Sequence, residues 1–115
     1  MIEKMTRISP LCKLIGHRVL EFSYEPERTG FLLENGSALT IYNQMSVQDP
    51  KSKGDLSVAE ASISSVREDS DLVYIEFDNG IVWSVDLSDD AYSGPEAMQL
   101  NVVGDPIVIW RIGEG

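Results

Sequence analysis

The chain contains one cysteine, one histidine and no apolar run approaching the roughly 20 residues that a membrane-spanning helix requires. A lone thiol, Cys12, closes no internal disulfide, which fits a reducing compartment. With His17 as the sole imidazole there is no histidine cluster for zinc, and a Ser-His-Asp or Cys-His arrangement would have to rest on that one ring. Cys12 is near it in sequence, but it sits among Leu11, Leu14 and Ile15, where a small apolar residue belongs. The chain has no P-loop, no dinucleotide glycine pattern and no nucleophile elbow. Its N-terminus also lacks the basic, apolar, small-residue order of a signal peptide. The expectation is a cytoplasmic, non-enzymatic protein with no catalytic residue, metal or cofactor.

Positive charge is scarce, and its scarcity is local. Residues 1–57 hold seven basic and seven acidic residues, whereas residues 58–115 hold twelve acids against Arg67 and Arg111 alone. The formal net charge of −10 therefore belongs to the second half. Such a field repels phosphate backbones and anionic lipid, and it speeds encounter with a basic protein. Neither nucleic acid nor a membrane is the expected partner. Acidity that serves solubility alone is the alternative.

What is present is a repeat. Residues 16–43 and 60–87 align without a gap at an offset of 44, placing Val19 on Ile63, Phe22 on Val66, Phe31 on Ile75, Leu39 on Trp83 and Asn35-Gly36 on Asn79-Gly80. A period of this size marks one supersecondary unit used twice. Each copy offers three strands rich in β-branched and aromatic residues, near 18–24, 28–34 and 37–43, then near 61–68, 71–78 and 81–87. A two-residue Asn-Gly loop would set Phe77 opposite Val82 and mix apolar with polar positions. A three-residue loop sets Phe77 opposite Ile81, Ile75 opposite Trp83 and Val73 opposite Val85, and Phe31 opposite Leu39, which gives one wholly apolar face. That register requires positive φ at Gly36 and Gly80. The spacing of three from Val19 to Phe22 and from Ile63 to Val66 predicts a β-bulge in the first strand of each copy.

The expected fold is therefore mainly β. Two three-stranded antiparallel meanders and a C-terminal strand over 106–112, apolar on both faces, form a β-sandwich or flattened barrel with that last strand in the seam. One domain over 1–115 suits the length. Ser9-Pro10 predicts the start of a short helix over about 10–15. Met1, Met5, Ile8, Leu11 and Ile15 recur at helical spacing, and they are expected to cover the uncharged outer face of the first copy, which includes Leu32, Ala38, Thr40 and Tyr42. A homodimer contact through Leu32, Ala38 and Tyr42 is the rival cover. Residues 48–55 read as a polar surface loop, and residues 86–97 as an acidic connection.

The strongest candidate site is the carboxylate group Asp86, Asp89, Asp90 and Glu96. Such a group suits a divalent cation, or an acid and base for hydrolysis. Calcium-loop spacing is absent, however, and a domain of this size offers little room for a hydrolase cleft. A turn cap at Asp89 or Asp90 and a solvated Glu96 is the simpler explanation.

The two-copy layout, with Asp78-Asn79-Gly80 leading through Val85-Asp86-Leu87-Ser88-Asp89-Asp90 and Ser93-Gly94-Pro95-Glu96-Ala97 to Val108-Ile109-Trp110, resembles small bacterial β proteins among the immunity proteins of polymorphic and contact-dependent toxin systems. The resemblance covers roughly residues 16–112. It implies a protein that binds a toxin made beside it and blocks the toxin's active site. A nuclease toxin carries a basic cleft, and carboxylates on a strand face and loop can occupy it, with aromatic residues as anchors. The partner-binding set expected on charge and position is Glu68, Asp69, Asp71, Tyr74, Glu76, Asp86, Asp89, Asp90, Tyr92 and Glu96. A self-associating β module and a metal-dependent hydrolase remain as alternatives.

Overall fold

A computed structural model describes residues 9–25, 28–48, 58–69, 71–92 and 94–111. Nine strands form over these residues: β1 (Val19–Tyr24), β2 (Thr29–Leu33), β3 (Ala38–Ile41), β4 (Met45–Gln48), β5 (Ile63–Glu68), β6 (Leu72–Phe77), β7 (Val82–Asp86), β8 (Glu96–Asn101) and β9 (Val108–Arg111). They build two antiparallel sheets, one of five strands in the order β1-β2-β3-β8-β9 and one of four in the order β4-β7-β6-β5. All pairings are antiparallel.

The hydrophobic pattern sets the register as the three-residue turns require. Ile75 lies opposite Trp83 and Val73 opposite Val85, Phe31 lies opposite Leu39, and the Phe77 N–H donates to the Ile81 carbonyl at 2.9 Å. Gly36 and Gly80 adopt φ of +88° and +92°, which a side chain would resist. A Cβ on Gly36 would also stand 2.9 Å from Val103 Cγ2. Both bulges form, between Val19 and Glu21 and between Ile63 and Ser65. Every β1–β2 and β2–β3 pair becomes a β5–β6 or β6–β7 pair on adding 44 to both numbers.

The meanders do not stand alone, and here the expected architecture needs correction. Each sheet takes a fourth strand from the other half of the chain: β4 pairs with β7, and β8 pairs with β3. Neither strand stood out in the sequence, because four to six residues of mixed polarity carry little periodic signal. The sheets do not close into a barrel. Among the described residues, the edges of β1 and β5 meet through one bridge, Arg18 to Ser62. The last strand does not fill the seam as a central strand; it is the edge of the five-stranded sheet, with Val108, Ile109 and Trp110 half-buried.

Ser9 caps a five-residue 3-10 helix, Pro10–Leu14, by accepting the Leu11 N–H on its hydroxyl at 3.1 Å, and no α-helix occurs among the described residues. This turn does not lie across the outer face of the first copy. Leu11 and Leu14 are fully buried in the core and the turn packs on β5, while Ile15 is exposed. Met1, Met5 and Ile8, and the 49–55 part of the polar loop, lie outside the described residues.

The core joins both sheets. Phe31 of the five-stranded sheet meets Trp83 and Phe77 of the four-stranded sheet with ring centroids 5.1 and 6.1 Å apart, and Phe22 lies 5.3 Å from Trp83. Trp83 is wholly inaccessible to solvent. Burying an aromatic side chain of that size removes on the order of 200 Å² from water, worth about 5 kcal/mol by area. Of the two seams between the sheets, the one beside β5 is bridged by β9, where Trp110 Nε1 donates to Glu68 Oε2 at 2.9 Å. At the other, Tyr24 of β1 and Met45 of β4 flank an open cavity. Among the described residues no helix is long and apolar enough to cross a membrane.

Candidate protein-binding end

The acidic residues are positioned by the turn between β5 and β6 and by the connection from β7 to β8. In the first, Asp69 Oδ1 accepts the N–H groups of Asp71 at 2.9 Å and Leu72 at 2.8 Å. These two bonds, Asp71 first, hold the Asp69 carboxyl below the usual aspartate range, with a smaller push from Arg67 and slight opposition from burial. In the second, Asp86 Oδ1 accepts the Ser88 N–H at 2.8 Å and starts a turn that leads into a three-residue 3-10 helix, Asp89–Ala91. The Leu87 N–H donates to the Asp71 carbonyl at 2.7 Å and ties the two segments together. One end of the molecule thus gathers Asp69, Asp71, Asp86 and Asp90, while of Asp89 only the backbone, in the short 3-10 helix, is described.

The remaining expected residues divide. Tyr74 and Glu76 lie on the outer face of the four-stranded sheet, on the same face as Ser84 and Asp86, and are not part of the end. Both are engaged within the chain: the Arg67 guanidinium stands 4.5 Å from the Tyr74 ring, and Glu76 Oε1 accepts the Ser65 hydroxyl at 3.0 Å. Glu68 is engaged inside the molecule, with Oε2 on the Trp110 indole and Oε1 buried without a partner. Tyr92 packs against the hydrophobic core. Glu96, half-buried, sits across β8–β9 from Arg111, the cation nearest to it in register. Asp71 and Asp90 are exposed carboxylates with no hydrogen-bond partner among the described residues.

Sequence reasoning missed a neighbouring feature. A cavity of about 380 Å³ opens at the same end of the molecule and is lined by Tyr24, Glu25, Arg28, Thr29, Ile41, Asn43 and Met45. Asn43 is 94% buried (6% exposed), and its Nδ2 donates to the Asp86 carbonyl at 2.7 Å, which joins the cavity wall to the acidic connection. No motif announced it, since its walls come from β1, β2 and both flanks of the β3–β4 link. Among the described residues no group of three or more His, Cys, Asp or Glu is placed to hold a metal ion, Cys12 and His17 included. Comparison with family models, with curated proteins and with solved structures found no match.

Proposed function

We propose that this chain is a non-enzymatic acidic binding protein, and in its most concrete form an immunity protein that neutralises a basic, nuclease-like toxin by covering its active site. The observation that carries the reading is the convergence of Asp71, Asp86 and Asp90 on one end, bound together by the Leu87–Asp71 backbone bond. The backbone that carries them is held by hydrogen bonds before a partner arrives, so little main-chain entropy is lost in presenting them. Complementary charge of this kind governs association rate and partner choice more than final affinity. The likeness of the two halves is, on this reading, the product of one unit duplicated, with charge acquired by the second.

The test has a genomic and a kinetic arm. The neighbouring gene is expected to encode a large secreted protein with a variable basic C-terminal domain, and that domain is expected to bind this chain. Replacing Asp71, Asp86 and Asp90 together by Asn slows association by about tenfold and flattens its dependence on salt. Unchanged kinetics would remove the acidic end from the interface. A second reading is favoured by Leu32 and Ala38 pairing side by side on the outer face of the five-stranded sheet, with Tyr42 beyond them and Glu21 beside Leu32: self-association through the apolar part of that face. Light scattering that returns a monomer at micromolar concentration would count against it.

A further inference from the structure

The two halves differ in what lies beyond the fourth strand of each sheet. The Asp86 N–H donates to the Gln44 carbonyl, so that carbonyl and the backbone groups of Ser46 and Gln48 face β7, and by alternation those of Met45 and Val47 face away from the sheet. In the other half, the Tyr42 N–H donates to the Ala97 carbonyl, which turns Met98 and Leu100 away from β3 in the same manner. Adding 53 carries Met45 to Met98 and Val47 to Leu100. Met98 and Leu100 are covered, pairing with Trp110 and Val108 of β9. Met45 and Val47 have no such strand among the described residues.

The side chains repeat the contrast. Adding 44 carries Phe22 to Val66 and Tyr24 to Glu68, and Glu68 is the residue that the Trp110 indole bonds. On the β4 side no described residue occupies Trp110's place. Tyr24 is left 47% exposed and the cavity opens between it and Met45. The described residues thus hold one arrangement twice, filled by β9 on one side and by no described strand on the other.

We infer that the edge of β4, which no described strand covers, accepts an extended segment of a basic protein partner, which adds antiparallel to β4 and lays an apolar side chain against Phe22 and Tyr24. The inference rests on the proposed binding function for the partner's charge, and on the β8–β9 pairing for the mode. Main-chain bonds from an added strand supply affinity, and the pocket for one alternate side chain supplies selectivity. A second copy fits poorly: each chain carries −10, and β4 itself, Met-Ser-Val-Gln, brings no aromatic residue to the opposite cavity. A basic segment fits better, since Asn43 holds the Asp86 carbonyl and the edge begins beside the acidic end. Arg28 and Glu25 both line the cavity and offset one another.

An end-blocked peptide carrying Val-Ile-Trp-Arg, the β9 sequence, between pairs of lysines provides the probe. At about 1 mM, a concentration suited to a weak single-strand contact, it is expected to slow hydrogen exchange at the Met45 and Val47 amides and to leave Ser46 unchanged. Val47→Pro deletes an outward N–H without touching a bond to β7, so it is expected to keep the melting curve and weaken the peptide by at least about tenfold. Val47→Thr, which retains the N–H, should bind as the parent does and serves if the proline variant unfolds. Exchange at Met45 and Val47 that stays fast with peptide overturns the inference. So does exchange already slow without it, whether independent of protein concentration, meaning the chain's own residues cover the edge, or rising with concentration, meaning a second copy does. With the toxin domain as ligand, Val47→Pro binding like the parent while the Asp71, Asp86 and Asp90 variant weakens would sink the edge and leave the acidic end standing. The opposite pattern would do the reverse.

Discussion

At the scale of single residues, two side chains show how burial and hydrogen bonding trade against each other. Ser37 is wholly buried and its hydroxyl has no partner, whereas the residue 44 positions on, Ile81, fills the matching place with carbon. An unpartnered buried hydroxyl carries a desolvation cost of about 1–3 kcal/mol, and removing it leaves only a small void. Ser37→Ala is therefore expected to raise the urea midpoint, by up to about 1 kcal/mol in stability, with the denaturant slope unchanged; a loss of stability would mean that the hydroxyl has a partner in solution. Asp69 behaves in the opposite sense, because it is exposed but fully used. Its carboxylate accepts two backbone N–H bonds, which lower its folded-state pKa below the ordinary value of 3.8. A group more acidic in the folded than in the unfolded chain contributes in full above its ordinary range, and that contribution is lost as pH falls through the lowered value. An NMR carboxyl titration is expected to place the Asp69 midpoint below 3.8. Exchange at the Asp71 and Leu72 amides should quicken across the same window, and Asp69→Asn should abolish that pH dependence.

At the scale of elements, the starts of β1 and β5 show what the alignment at 44 means physically. Val19 N–H donates to the Ala61 carbonyl and Ile63 N–H to the His17 carbonyl, while Gly16 N–H reaches Ile63 and Glu60 N–H reaches Val19. Each bond maps onto another when 44 is added to one partner and subtracted from the other. Both segments need positive φ before the strand, +90° at Gly16 and +73° at Glu60, and Glu60 is the one non-glycine residue in that region among those described. A side chain there costs about 1 kcal/mol, partly returned by the lower entropy of its unfolded chain. Glu60→Gly is expected to stabilise by a few tenths to about 1 kcal/mol, and Gly16→Ala to destabilise by about 1 kcal/mol, both measured by chemical denaturation. These elements were legible in the sequence because local rules decide them: Asn-Gly turns fix the register, and a spacing of three marks the bulge. β4 and β8 were not legible, since their partners lie in the other half of the chain and short strands of mixed polarity have no period to display. The same limit applied to the acidic residues. Sequence placed Asp71 at the start of one strand, Asp86 near the end of another and Asp90 in the acidic connection, but it could not show that Glu68 turns inward to Trp110 or that Tyr92 joins the core, because both depend on where β8 and β9 lie.

At the scale of the whole molecule, the exchange of fourth strands governs how the fold comes apart. If each half formed its own sheet, the two could open separately and each would report its own stability. Instead β4 belongs to the sheet of β5–β7 and β8 to the sheet of β1–β3, so neither sheet is complete without both halves of the chain. The aromatic cluster of Phe22, Phe31, Phe77 and Trp83 straddles the sheets as well, and separating them would expose it. One cooperative transition is the expected outcome. The two tryptophans supply local reporters, since Trp83 lies in β7 of the four-stranded sheet and Trp110 in β9 of the five-stranded sheet. Trp110→Phe leaves Trp83 as the sole indole, at a stability loss of about 1–3 kcal/mol from the bond to Glu68. Trp83→Phe leaves Trp110, and it removes an indole N–H that is buried without a partner. Within each variant, the fluorescence midpoint in urea should coincide with the midpoint from far-ultraviolet circular dichroism. A fluorescence transition that precedes the dichroism in the Trp83→Phe protein alone would show β9 leaving the edge of its sheet before the rest unfolds, and would divide the molecule at the seam that Trp110 bridges.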